Sequence, residues 1–126
     1  MFNNLRIGDK AKRAVSFTPT HPDPAIGRKH GITLSLHGKH SEQYRNAIAD
    51  MLRRTKKNKD LSTDEAVEES AKLIASCAAG WEGVTGDDGK AKKFNQAELL
   101  EILKDDDFRW LRLQCEAFMA ADDNFF

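Results

Sequence analysis

The chain has 126 residues, of which 40% are hydrophobic and 32% charged, a composition that fits one small globular domain and excludes a disordered chain. The net charge is zero, but residues 1–63 carry 13 basic and 5 acidic side chains, whereas residues 64–126 carry 7 and 15. This asymmetry favours ion pairs between the two halves of one chain. As the alternative, the basic half of one copy could bind the acidic half of another.

The cysteines and the hydropathy pattern narrow the class of protein further. Cys77 and Cys115 lie on the apolar faces of predicted helices, which predicts buried free thiols in a reducing compartment. The sequence has no stretch approaching the ~18 apolar residues of a membrane-spanning helix. We therefore expect a cytoplasmic protein that does not associate with membranes.

The N-terminal third is predicted to contain little helix. Residues 1–13 lack a sustained period and are predicted to be a flexible segment before a single domain at residues 14–126. Apolar residues alternate at 15–17 and 32–36, which predicts a small N-terminal β-hairpin of two strands. The 18–31 connection holds all three prolines and is predicted to be a long loop that is either mobile or a contact surface.

Four helices are predicted after this region, each from a cap residue followed by apolar residues at helical spacing. The predicted caps are Ser41, Ser62 with Glu65 in a capping box, Asn95, and the aspartates at 105–107. The first helix is predicted to bury Tyr44, Ala47, Ile48, Met51 and Leu52. The apolar face of the second is predicted to continue to Trp81, with Gly80 as its left-handed end. The expected fold is mainly α, with about four helices and a two-stranded β element.

The sequence contains no pattern typical of a catalytic or metal site. The glycine-rich turn at 83–89 does not match a phosphate-binding loop, because Val84 stands where a glycine is needed and Ala91 where Ser or Thr is needed. The four histidines have no cysteine or carboxylate at ligand spacing and are expected to face solvent. We therefore expect a protein that is not an enzyme and that uses no cofactor and no metal.

A basic run follows the first predicted helix. It comprises Arg53, Arg54, Lys56, Lys57 and Lys59. Cations at the C-terminal end of a helix offset the helix dipole, which is the interpretation we favour. The alternatives are an electrostatic surface for self-association and a small nucleic-acid-binding or regulatory module. Nucleic acid is the less favoured partner, because the run has no interleaved aromatic residues and half of the chain is strongly acidic.

The order of several motifs resembles one protein family. GITLSLHGKHSEQYRNAI at 31–48 is followed by LIASCAAGWEGV at 73–84, the turn DDGK, FNQAELLEILKDDDFRWLRLQCEAF at 94–118 and a final DDNFF. From residue 15 onward, this series is similar to the small tail assembly chaperones of long-tailed, siphovirus-type bacteriophages.

The resemblance implies a non-catalytic protein that binds and solubilises the tape measure protein during tail assembly. It places the protein in the host cytoplasm and not in the mature virion. It also implies self-association, contact with the tail tube protein and a longer frameshifted form that contains this chain. A structural tail or connector subunit is the alternative within a phage.

The aromatic, acidic end of the chain is where client contacts are expected. The candidate partner-binding residues are Trp110, Leu113, Phe118, Phe125 and Phe126. Of these, Phe118 lies on the apolar face of the last predicted helix, so core packing is its favoured role. Trp110 falls away from that face, and terminal phenylalanines in an isolated monomer would often be exposed.

Overall fold

The computed structural model describes residues 2–56 and 60–126. Within these ranges it has four α-helices and a three-stranded antiparallel sheet, and 52% of it is helical, which confirms the mainly α prediction. The elements in chain order are β1 (Val15–Phe17), β2 (Thr33–Leu36), α1 (Glu42–Thr55), α2 (Thr63–Cys77), β3 (Ala78–Glu82), α3 (Gln96–Lys104) and α4 (Arg109–Ala120). Short 3₁₀ turns are found at Phe2–Leu5, Gly8–Lys12, Asp106–Phe108 and Asp122–Asn124.

The prediction of a two-stranded β element is wrong, because the residues after α2 form a third strand. The strand order is β1-β2-β3, with β2 in the centre. The helix ends at Cys77, whose carbonyl accepts a hydrogen bond from the His37 N–H at 2.8 Å. Trp81 therefore lies on β3 opposite Leu34, not on a helix. Gly80 lies in the same strand without a positive φ, so it does not end the helix.

Three of the four predicted helix caps are confirmed by their hydrogen bonds. The prediction that an aspartate at 105–107 caps the last helix is wrong, because α4 begins after Phe108 without a side-chain cap and Asp105 instead caps the 3₁₀ turn before it. The Ser41 hydroxyl accepts from the Tyr44 N–H at 3.1 Å, and Ser62 and Glu65 form the reciprocal bonds of a capping box. Asn95 caps α3 in the same way. Each of these bonds satisfies a backbone donor that has no partner within its helix, so local sequence fixes where these three helices begin.

The core forms where α2 meets the sheet and the last two helices. Its most buried members are Leu34, Leu36, Ala71, Ile74, Cys77, Leu99, Leu103 and Cys115. Burial raises the pKa of the Cys77 and Cys115 thiols to about 12, with the nearby Glu116 as a smaller cause at Cys115. Both cysteines are thus buried free thiols, as predicted, and their function is packing.

Helix α1 is less buried than its apolar spacing predicts. Of the five residues expected to face the core, Ala47 is buried, whereas Leu52 is 58% exposed. The reason is that α1 packs mainly against α2, its one extensive contact with another element among residues 2–56 and 60–126. The N-terminal segment is also exposed, with Phe2 at 79% and Leu5 at 70%. The flexibility predicted for residues 1–13 stays a prediction.

The glycine-rich turn is a hairpin closed by its own backbone. Thr85 and Ala91 form an antiparallel bridge, and the Asp88 carboxylate accepts from the Lys90 N–H at 3.0 Å. Just after this hairpin, the Lys92 carbonyl accepts a hydrogen bond at 2.9 Å from the indole of Trp81. These contacts close the turn and hold it against Trp81.

Candidate docking groove

The 18–32 loop and the start of α4 enclose an apolar groove of about 280 Å³. Its accessible wall is entirely apolar, although two histidines contribute to it. The lining residues are Pro19, His21, Ile26, His30, Ile32, Phe108, Trp110 and Leu111. A concave apolar surface of this size is typical of a binding site for an apolar group.

A side-chain clamp holds the loop against α4. The Gln114 amide accepts from the Thr20 N–H at 2.7 Å and donates to the Thr20 carbonyl at 2.6 Å. The loop is also closed on itself, because the His21 N–H donates to the Gly27 carbonyl at 2.9 Å. Hydrogen bonds within the chain therefore hold the wall of the groove in place.

The His30 ring has a single arrangement of donors and acceptors. Its Nδ1 lies 3.0 Å from the Ile32 N–H, which can only donate, so Nδ1 accepts. Its Nε2 lies 2.7 Å from the Pro19 carbonyl, which can only accept, so Nε2 donates. Both ring nitrogens are thus engaged by backbone, and the ring presents carbon atoms to the groove.

Trp110 is the largest side chain of the groove, and aromatic rings surround it. The His21 ring meets it edge-on at 4.9 Å between centroids, and the rings of His30 and Phe108 lie at 6.4 Å. The expectation that the histidines face solvent is wrong for His21, His30 and His37, which are half-buried. The rings of His21 and His30 lie against the indole. These contacts hold the indole in place, and part of its surface stays exposed.

The five candidate partner-binding residues do not form one surface. Trp110 lines the groove, and Leu113, one turn further along α4, is 44% exposed. Phe118 packs against the core and stacks on Phe17 at 4.3 Å, as favoured. The expectation of exposure is wrong for Phe125, which is 4% exposed, whereas Phe126 is 46% exposed.

The C-terminal residues fold back onto the turn between β2 and α1, which explains the burial of Phe125. Its ring lies 5.4 Å from that of Phe118 and directly against the backbone of Gly38. The Asp122 carboxylate pairs with His40 at 3.1 Å and with Lys39 at 3.7 Å. A side chain at position 38 would collide with the ring of Phe125, so the glycine at this position leaves the space that the ring occupies.

The basic run is partly neutralised by the chain itself. Arg53 pairs with Asp50, and Arg54 pairs with Glu69 at 2.7 Å. The Arg54 hydrogen bond is the main cause of the lowered pKa of the Glu69 carboxyl. This pair joins the basic half to the acidic half, so part of the charge asymmetry is satisfied within one chain. Lys56 is exposed.

The remaining two cations of the basic run, Lys57 and Lys59, lie outside the described residues. Within the described ranges, no group of three or more His, Cys, Asp or Glu side chains is placed to hold a metal ion. No helix in the same ranges has the length and hydropathy that crossing a membrane requires.

Comparisons with protein-family models, with curated proteins and with solved structures found no match to this chain. Proposals about its function therefore rest on the groove, on the charges around it and on the motif order described above.

Replacing Gln114 by glutamate is expected to release the loop from α4. A carboxylate keeps the shape and the acceptor but loses the donor to the Thr20 carbonyl, which leaves two oxygens facing each other. Each hydrogen bond contributes about 1 kcal/mol, so we expect about 1–2 kcal/mol lower stability and faster amide exchange across the loop. Exchange as slow as in the wild type would contradict the clamp. Ala117→Ser, at an exposed position of α4, is the control.

Proposed function

We propose that the protein is a non-catalytic tail assembly chaperone of a long-tailed bacteriophage, which binds the tape measure protein and keeps it soluble in the host cytoplasm. The observation that carries the proposal is the apolar groove beside Trp110. It supplies a contact surface for an apolar segment, and the motif order that resembles this family supplies the identity of the client.

The shape of the surface suits a helical client. An amphipathic helix presents apolar side chains every three or four residues, and such helices bind in apolar grooves. Leu113 lies one turn after Trp110 and extends the apolar surface along α4. We propose that one client side chain enters the groove while its neighbours contact Leu113.

Co-expression with the tape measure protein tests the proposal. The wild-type chain is expected to raise the soluble fraction of the client and to co-purify with it. Trp110→Ser is expected to weaken binding roughly 30-fold, because truncating a central aromatic anchor costs about 2 kcal/mol or more. The control is Leu52→Ser, which removes an exposed apolar side chain from α1 and should leave binding unchanged.

Two results would count against the proposal. If the wild-type chain does not change the solubility of the tape measure protein, the chaperone function is wrong. If Trp110→Ser and Leu52→Ser bind the client equally well, the function could hold but the groove is not the contact site. A structural tail or connector subunit would instead be found by mass spectrometry in purified virions, from which a chaperone is expected to be absent.

A further inference from the structure

We propose that the groove is acid-sensitive: protonation of His30 and of His21 releases the 18–32 loop from α4, and the groove then loses one of its two walls. The proposal concerns the regulation of the groove and rests on the proposed function only for the identity of what binds there. It follows from the direction of the hydrogen bonds that the two half-buried histidine rings make.

The same contact occurs near both ends of the loop. Nδ1 of His21 accepts from the Asp23 N–H at 3.0 Å, and Nδ1 of His30 accepts from the Ile32 N–H at 3.0 Å. In the second of these turns Gly31 has a φ of +72°, which a glycine adopts without steric cost. Because a backbone N–H can only donate, each Nδ1 must carry a lone pair and no proton.

Protonation reverses the role of Nδ1. A protonated imidazole carries an N–H on both ring nitrogens and accepts no hydrogen bond. Nδ1 of His30 would then point a donor at the Ile32 N–H. The ring relieves this contact by turning, and turning also breaks the 2.7 Å bond from Nε2 to the Pro19 carbonyl. Because Pro19 lies at the start of the loop and Ile32 at its end, one proton removes the link between the two ends.

The surroundings of the two rings do not compensate a positive charge. Among residues 2–56 and 60–126, the ion pair of a histidine joins His40 to Asp122, outside the loop. The charged groups on the elements around His21 and His30 are Asp23, Arg28 and Lys29 on the loop, Glu82 on β3, and Asp107 and Arg109 beside the start of α4. These groups carry both signs equally, and the accessible wall of the groove is apolar. A protonated ring is therefore more stable in water than in the groove.

The sign of the pH dependence follows from this difference. A released loop leaves both imidazoles in water, where a histidine changes its charge between about pH 5 and 8. The released form therefore binds more protons than the closed form, so acid shifts the population toward release. A solvated histidine is half protonated near about pH 6.5, so each ring that is held neutral in the closed form raises the released fraction roughly tenfold between about pH 7.5 and about pH 5.5.

Amide hydrogen exchange at two pH values tests the proposal without any client. The Thr20 N–H is bonded to Gln114 and the Ile32 N–H to His30, so the exchange of these two amides reports release of the loop. After correction for the intrinsic rate, both amides are expected to lose roughly tenfold of their protection at about pH 5.5, and up to about 100-fold when both histidines contribute.

Global unfolding is measured separately at the amides of α3. Burial lowers the pKa of the His37 ring, so the folded chain disfavours the protonated ring and loses stability as the pH falls below the ordinary range of a histidine. The amides of α3 lie outside the loop and report this global effect. The loop amides are therefore expected to lose more protection in acid than the amides of α3.

His30→Asn is the matched variant. Its side-chain carbonyl keeps an acceptor for the Ile32 N–H and does not titrate. The variant loses the donor to the Pro19 carbonyl, so its loop is expected to exchange faster than the wild type at neutral pH, with a pH dependence reduced roughly tenfold. The control is His40→Asn, which removes an exposed histidine outside the loop and should keep the full pH dependence of the loop.

Two results would overturn the proposal. The first is a wild-type loop whose protection is the same at both pH values. The second is an unchanged pH dependence in His30→Asn, since the proton would then act at another group. Long-range proton–nitrogen correlation spectra add an independent check, because a proton on Nδ1 of His30 at neutral pH would contradict the bond from Ile32. No client is present in these measurements, so their failure leaves the co-expression test of the chaperone function unaffected.

Discussion

Gly83→Ala is expected to destabilise the fold by about 2–5 kcal/mol, combining a left-handed conformation at an alanine with overpacking against backbone. Gly83 has a φ of +78°, and a Cβ at this position would lie 2.1 Å from the carbonyl oxygen of Gly31. That oxygen belongs to the backbone where the 18–32 loop enters β2, so it cannot move like a side-chain end. The same substitution should therefore also disturb the neighbouring groove residues His30 and Ile32.

Two other glycines give matched controls for Gly83. Gly80 lies in β3, three residues before Gly83, with no positive φ and with open space at its Cβ position, so Gly80→Ala should change the free energy of unfolding by less than about 1 kcal/mol. Gly89 has a φ of +76° and open space, so alanine there should cost about 1 kcal/mol from the backbone alone. Urea unfolding of the three variants separates the steric cost from the conformational cost. Equal losses at Gly83 and Gly89 would contradict the close approach to Gly31.

The helices could be predicted from sequence because their determinants are local. Ser41, Ser62 and Asn95 each bond to a backbone N–H three residues ahead, and an apolar face follows each cap. Such contacts span one turn, so the order of residue types is enough to find them. Spacing alone wrongly predicted that Leu52 in α1 is buried. The spacing does not show that α1 has one main neighbour, which leaves Leu52 exposed.

The third strand could not be predicted, because its determinant is the free edge of β2. Ala78, Ala79 and Gly80 have no strand period and are small enough to continue a helix, so local pattern favoured a longer α2. In the structure, pairing with Thr33–Leu36 supplies hydrogen bonds that the helix would otherwise have supplied. Pairing across more than 40 residues of sequence leaves no local signal.

Two parts of the groove, but not their association, could be identified in the sequence. Trp110 was identified because it falls off the apolar face of the last helix, and the proline-rich loop was predicted to be either mobile or a contact surface. Their association depends on the clamp between Thr20 and Gln114, which lie 94 residues apart. In the sequence, Gln114 is an ordinary polar residue of a predicted helix and His21 an ordinary residue of a loop. Neither residue therefore indicates that it takes part in the groove.

The second large effect is expected at the C-terminus, where Phe125→Ala should lower the free energy of unfolding by about 3 kcal/mol. Phe125 is 4% exposed and packs on Phe118 and on the backbone of Gly38. The adjacent Phe126 is 46% exposed, so Phe126→Ala is the matched control and should cost about 0.5 kcal/mol or less. Similar losses at both positions would contradict the docking of the chain end.

A double-mutant cycle with Gly38 shows whether the ring of Phe125 is the cause. A Cβ at position 38 would lie 2.8 Å from carbon atoms of that ring, so Gly38→Ala alone should displace the chain end and cost about 1–3 kcal/mol. In the Phe125→Ala background the obstacle is gone, and the same change should cost close to nothing. A coupling energy of about 1 kcal/mol or more is therefore expected, and strictly additive losses would mean that Phe125 packs elsewhere. Because the docked ring is buried, Phe125→Ala should affect client binding only through stability, unlike Trp110→Ser.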